Sequence, residues 1–314
     1  MIRGQGEILS TQGEWSTELI RLGGDRILGS TIPGCISSRV LRHLAAVSAG
    51  LKVQSAVAAR YAQAVLVVPA CGSRIANELL SESSYGNASY SPLETMTTGL
   101  ADFSRAIRLP ISASHRVDLG KLASQFRSNK FRKKESVVRV GAVVVEGLEG
   151  QLAYVPPHPK HFDRLLGDLY EAIRSLEPKS MDAVAPVAFL IMCQFMAIHP
   201  LTDGNGRAAR AMFIRLCRIG GLDAASAALI LSIVLTRYRA AYYSSLMSYC
   251  LSGDFSGLEA ILLSSIRDAN AAVAVTSSED DFRSEVSVRK GEGRPALQGQ
   301  AALAEFVELA KIIY

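Results

Sequence analysis

The sequence lacks most of the features that mark membrane, secreted or nucleic-acid-binding proteins. Its longest apolar run, 224–235, falls short of the roughly 20 residues needed to cross a bilayer, so it reads as a buried helix. No CxxC pair occurs; Cys35, Cys71, Cys193, Cys217 and Cys250 stand at wide, irregular intervals inside mostly apolar stretches, as reduced core thiols do. There is no long block of Lys or Arg to explain the net charge of +5, and the densest basic stretch, 127–134, reads as a solvated turn. A nucleic-acid partner is therefore not expected, nor a membrane. The first twenty residues are interrupted by Glu7, Glu14 and Glu18 and do not read as a secretory signal. A cytoplasmic place of synthesis is expected, and export by a specialised secretion system would leave no mark of this kind. No internal repeat is visible.

What is present is the material of a packed helical protein. With 314 residues, 49% of them hydrophobic and 20% charged, the chain can bury one large core with appendages. Residues 1–35 mix Gly, Thr, Ser and charge, which predicts an irregular lead-in or a short strand pair. From 37 to 68, apolar positions such as Val40, Leu41, Leu44, Ala45 and Val47 recur at helical spacing and predict two helices broken near Gly50. Further helices are predicted at about 72–80, 93–107 and 119–126. The β-branched run 137–145, followed by Gly147, Gly150 and 152–155, predicts a β-hairpin. Beyond Pro156 and Pro157, helices are expected at 160–176, 183–197, 205–219, 225–235, 237–251 and 257–272. Residues 276–295 change to a charged, Ser/Gly-containing linker, and a last helix is predicted at 299–313. The fold class is mainly α, a helical bundle with one hairpin.

One segment, IHPLTDGNGRAAR at 198–210, combines residue types that answer a single chemical problem. Gly204, Asn205 and Gly206 form a turn that opens a helix, and the glycines allow successive N–H groups to converge. Unpaired amides and the positive end of the helix dipole then face one point, an anion site suited to phosphate. Arg207 and Arg210 project from neighbouring positions of the same helix and can reach the same anion. Asp203 would repel phosphate unless a divalent cation bridges the two, and Mg2+ fits hard oxygen donors best. His199, at the mouth of the turn, has an ordinary pKa near neutrality and can accept a proton from an attacking hydroxyl.

This segment resembles the signature of the Fic (filamentation induced by cAMP) family, His-Pro-Phe-x-Asp/Glu-Gly-Asn-Gly-Arg-x-x-Arg, with Leu201 in place of the usual phenylalanine. The substitution keeps an apolar side chain and is expected to alter packing and spare the chemistry. The hairpin 137–155, ending in YVPPHP, looks like the Fic flap on which a target segment docks by strand addition. The stretch 242–266, YYSSLMSYCLSGDFSGLEAILLSSI, resembles the helices that follow the motif in the family. The resemblance implies a protein adenylyltransferase that moves AMP from ATP to a Ser, Thr or Tyr hydroxyl of a protein target. It gives His199 the role of base and Asp203 that of Mg2+ ligand. It assigns the diphosphate cradle to Gly204, Asn205 and Gly206, the β-phosphate to Arg207, the γ-phosphate to Arg210 and the adenine side to Tyr242 and Tyr243. Glycine at 206, where a phosphorylating relative has lysine, favours AMP transfer. Removal of AMP, transfer of phosphocholine or another nucleotide-derived group, and a non-catalytic adaptor that only binds nucleotide are the alternative readings.

The resemblance divides the chain into a helical, regulatory amino-terminal part at 1–92, a Fic catalytic domain at 93–275, and a linker with carboxy-terminal helix at 276–314. Many relatives carry an inhibitory helix of pattern Ser/Thr-x-x-x-Glu-Gly/Asn. In CGSRIANELL (71–80), aligning Ser73 and Ile75 with that pattern puts Ala76 at the glutamate position and Glu78 two residues late, about 200° further round a helix. Either Glu78 is a regulatory brake in a variant register, or the chain has no such brake. Dimers are common in the family, which leaves a homodimer open here.

Overall fold

The computed structural model describes residues 15–22, 27–34, 36, 38–47, 64–71, 100, 102–107, 138–146, 152–174 and 181–278. The expected helices at 72–80, 119–126 and 299–313, most of that at 93–107, Cys35 and Glu78 lie outside these residues. The amino-terminal part contains the strand pair, β1 (Ser16–Arg21) and β2 (Ile27–Ile32), antiparallel with Ser16 opposite Ile32 and Arg21 opposite Ile27. Helix α1 (Ser38–Val47) follows the predicted spacing, with Val40 and Leu44 buried. Helix α2 (Ala64–Cys71) carries Pro69 in its last turns.

The hairpin is much shorter than its β-branched run predicts. Among its described residues only β3 (Val145–Glu146) and β4 (Leu152–Tyr154) pair, antiparallel and with an irregular register. Residues 139–144 are not strand, and the start of the run is bonded to the loop at 198–201 instead: Val138 bridges Leu201, and the Arg139 N–H donates to the Pro200 carbonyl at 3.0 Å. β propensity yields to a tertiary partner that offers the same backbone bonds.

A 3₁₀ turn (Pro159–His161) leads into α3 (Phe162–Arg174), whose buried face is Phe162, Leu165, Leu169 and Tyr170. The central helix α4 (Met181–Ile198) is surrounded: every side chain from Val184 to Phe195 is buried, Gln194 included. Helix α5 (Asn205–Ile219) packs against it, with Phe189 and Phe213 edge to face at 6.0 Å. Close packing leaves no room for a side chain at Gly220, where a Cβ would stand 2.1 Å from Val184 Cγ2. Helix α6 (Ala224–Leu235) starts on an Asp223 cap that accepts from the amides of Ala225 and Ser226. Its side chains from Ser226 to Leu235 are all buried. Helices α7 (Arg239–Ser252) and α8 (Ser256–Ser278) close the bundle, and α8 runs into the region expected to be linker.

The amino-terminal elements share this core. Helix α1 packs on α4 and α2 on α6. The β1–β2 pair is fastened by buried hydrogen bonds: Ser30 Oγ to the Val155 carbonyl, Tyr154 Oη to that of Thr31, and Gln194 Nε2 to that of Gly34. Trp15 meets Tyr249 edge to face at 5.4 Å. Among the described residues the four cysteines are free thiols, three of them buried. No single described helix is long and apolar enough to cross a membrane.

Candidate active site

The site lies where α4 ends and α5 begins, and each end of that junction is fixed differently. Helix carbonyls in a last turn have no partner within the helix and must find one elsewhere. Here the Phe195 carbonyl still has a main-chain amide, and those from Met196 to His199 find side-chain donors. The Phe195 carbonyl accepts from the His199 amide at 2.9 Å, that of Met196 from the His199 imidazole, and that of Ala197 from Tyr154 Oη at 2.8 Å. The Ile198 and His199 carbonyls accept from Arg139, Nη2 at 3.2 Å and Nε at 2.7 Å. His199 itself has φ of 50°, a left-handed backbone that non-glycine residues seldom adopt.

The loop then turns through buried Pro200 and Leu201. Leu201 is 1% exposed, in keeping with the expectation that this position packs inward. Asn205 staples the loop shut: its Oδ1 accepts from the Leu201 amide and its Nδ2 donates to the Leu201 carbonyl, each at 2.9 Å. The sequence reading placed Asn205 in a phosphate cradle; its side chain is committed to the loop, so only its main-chain amide is left for that task. Asn205→Ala is expected to leave two buried main-chain groups unsatisfied and to destabilise the protein by about 2–4 kcal/mol, read from urea unfolding.

Gly204 enters α5 at φ of 81°, a conformation that glycine adopts without strain, and no side chain caps the helix. The first hydrogen bond of the helix is from the Ala208 amide to the Gly204 carbonyl, so the preceding amides point out of the helix end. Asp203 Oδ1 accepts from the Gly204 amide at 2.7 Å, and Oδ2 lies 3.5 Å from Arg207 Nη2. Arg210 is anchored by Nε, which donates to the Pro69 carbonyl of α2 at 2.6 Å. Its guanidinium folds back over Gly206, where a Cβ would stand 3.0 Å from Nη1.

These groups line one open cleft of about 350 Å³: Cys71, His199, Thr202, Asp203, Gly204, Asn205, Gly206, Arg207 and Arg210. Seven of the nine were singled out in the sequence, and Cys71 and Thr202 were not. Tyr242 and Tyr243 are not among the lining residues. Tyr242 is 4% exposed and packs in the core beside Phe189, while Tyr243 is at the surface with its ring 5.2 Å from that of Tyr242. The residue that sequence reasoning missed is Arg139, and its signal was a lone charge inside a β-branched run.

Burial depresses the His199 pKa to about 4, with the nearby Arg139 charge acting the same way and the Met196 carbonyl opposing them. The imidazole is therefore neutral at pH 7, one nitrogen donating to Met196 and the other available as an acceptor. An imidazole NMR titration is expected to give a midpoint near 4, and a midpoint at 6.5 would contradict this environment. The linkage has a defined sign. Between 6.5 and about 4 the unfolded chain binds a proton that the folded one refuses, so this contribution to stability is complete above 6.5 and lost as pH falls toward 4.

Among the described residues no cluster of three or more His, Cys, Asp or Glu could hold a metal alone. The donor set suits magnesium nonetheless, since that ion commonly takes one or two protein carboxylates and completes its shell with water and substrate phosphates. Asp203, half-buried beside the α5 amino terminus, offers one such hard oxygen to the cleft.

The model of the Fic/DOC family matches residues 111–217, which contain the cleft-forming junction. Among solved structures, a Fic family protein from Desulfovibrio desulfuricans G20 shares the fold. It is 17% identical, with 84% of this chain and 85% of that one aligned and a TM-score of 0.55. A Fic domain containing signaling protein from Bacteroides thetaiotaomicron VPI-5482 aligns at 15% identity over 75% of this chain and 97% of its own, with a TM-score of 0.40. No curated protein matches the sequence. The family match rests on the same segment that builds the cleft, so residues 111–217 of this chain resemble a Fic/DOC domain and the Desulfovibrio desulfuricans structure shares its fold.

Proposed function

We propose that the protein is an adenylyltransferase that joins AMP from ATP to a hydroxyl of a protein target. The Fic domain supports nucleotidyl transfer in general. The finer reading rests on one observation: a neutral, oriented imidazole opens on the same cleft as an uncapped helix amino terminus and two arginines.

In this reading the main-chain amides at the start of α5 bind the diphosphate, with the helix dipole behind them. Arg207 and Arg210 hold the outer phosphates through charge-assisted bonds. Asp203 would hold magnesium, which when bound neutralises negative charge on the phosphate oxygens. His199 takes the proton as the target oxygen attacks the α-phosphorus; the bond from that phosphorus to the bridging oxygen breaks, and pyrophosphate departs. Donors already fixed around the phosphates stabilise the charge that develops, with little rearrangement needed.

Residues 138–146 carry exposed Val140 and Val144 beside this cleft-forming loop, and a target segment docking there would bring its hydroxyl toward His199. Of the two tyrosines, only Tyr243 presents an exposed ring for the adenine side. The test is incubation of the protein with α-labelled ATP, magnesium and cell lysate, followed by mass spectrometry of labelled proteins. Adducts with the mass of AMP on Ser, Thr or Tyr are expected. Adducts of another mass would redirect the assignment to another transferred group, and label that persists with His199→Ala would remove it from this site.

A further inference from the structure

We propose that Arg139 is a positioning residue for His199: its guanidinium holds the left-handed main chain of His199 and through it the imidazole. The inference rests on the reading of His199 as the base.

The first support is the isolation of the charge. Arg139 is 5% exposed, and among the described residues no carboxylate pairs with it. Buried cations are ordinarily paired, because removal from water strongly disfavours the charged form. Four carbonyls surround this one instead: His199 at 2.7 Å from Nε, Gly141 at 2.9 Å from Nη1, and Pro157 at 2.5 Å and Ile198 at 3.2 Å from Nη2. The Phe162 ring lies 4.7 Å beneath its central carbon. Two of the four carbonyls belong to the end of α4, where the helix dipole is negative and a cation is favoured.

The second support is the conformation it holds. A non-glycine residue in a sparsely populated backbone region costs on the order of 1–3 kcal/mol and persists only when its surroundings over-determine it. At His199 those surroundings are the Phe195 carbonyl on the amide, the Met196 carbonyl on the imidazole, and Arg139 on the His199 carbonyl. The first two are local to α4. Arg139 alone among them comes from outside, sixty residues earlier in the chain, and joins the 138–146 segment, Pro157 and the α4 terminus at one planar fork. A lysine, with three donors on one atom, matches neither the spread nor the plane of these four acceptors.

Arg139 touches neither the α5 amides nor the two cleft arginines, so its loss should disturb the base and spare the anion site. The experiment uses Arg139→Lys, which keeps the charge, in the full chain. Circular dichroism should confirm the fold, and calorimetry should give a MgATP affinity within about twofold of wild type. The transfer kcat is expected to fall about 10- to 100-fold, as small misplacements of reacting groups do. Nitrogen-15 NMR of His199 without nucleotide should show the single tautomer of the wild type replaced by a mixture. Unchanged kcat with unchanged His199 signals would overturn the proposal, and so would an affinity loss that matches the loss in kcat. His199→Ala runs alongside. If that variant still transfers, the base reading has failed, whereas the NMR comparison still decides whether Arg139 orders the imidazole.

Discussion

His199→Ala is expected to lower transfer by about 10³-fold while MgATP affinity stays within about twofold, because a positioned general base typically contributes 10²–10⁴. The two halves of that expectation come from separate parts of the site. The proposed proton acceptor directly follows the last turn of α4, held by carbonyls of that helix, whereas the proposed anion-binding groups belong to α5 and to the Arg210 anchor on α2. Removal of an imidazole that is neutral at pH 7 changes no charge next to the phosphates. It does relieve a burial that opposes protonation, so the variant should keep more of its stability between pH 6.5 and 4 than the parent does. Single-turnover transfer and calorimetric MgATP binding together check this. A parallel fall in both would place His199 in nucleotide binding rather than in proton transfer.

Much of this was legible in the segment 198–210, because its chemistry is local. A glycine-flanked turn that opens a helix presents amides whatever surrounds it, and arginines three apart on that helix share a face. The helices were legible for the same reason: Val40 and Leu44 are one turn apart and both buried, and the mostly apolar α6 is buried from Ser226 to Leu235. The misses share a different cause. The run 138–144 has the composition of a strand, but the backbone partner of Val138 and Arg139 is a loop some sixty residues later, and pairing over that distance leaves no periodic trace. Asn205 reads equally well as a ligand group or as a turn staple, and only its two bonds to Leu201 decide between them. Arg139 could have been suspected, since a charge among Val138, Val140 and Val144 invites the question of what it serves. Its four carbonyl partners could not, because main-chain acceptors have no residue type to recognise. Nor could the left-handed backbone of His199, which depends on those same partners.

Arg210→Ala is expected to weaken MgATP binding by about 10- to 150-fold, the equivalent of losing 1.5–3 kcal/mol of charge-assisted hydrogen bonding. The geometry explains why the effect should be large for one side chain. Nε is already bound to the Pro69 carbonyl at 2.6 Å, so the guanidinium is fixed before ligand arrives and loses little further freedom on binding. It is also a buried cation whose pKa is pushed down by burial, and it lies close enough to Arg207 for their charges to repel. A polyphosphate relieves both penalties at once. The same reasoning separates the variants. Arg210→Lys keeps a charge but cannot hold Pro69 and a phosphate from one rigid plane, and should lose affinity by about tenfold. Gly206→Ala places a Cβ 3.0 Å from Arg210 Nη1 and should shift the guanidinium without removing it, giving a smaller loss. Calorimetry and the rise in Tm on adding MgATP measure the series, with the order wild type, Gly206→Ala, Arg210→Lys, Arg210→Ala expected in both. For the protein without nucleotide, Arg210→Ala removes a partly buried charge that no carboxylate neutralises among the described residues, and should cost less stability than its burial alone suggests. A thermal shift with MgATP that survives intact in Arg210→Ala would mean that the phosphates bind elsewhere, and would remove Arg210 from the nucleotide site.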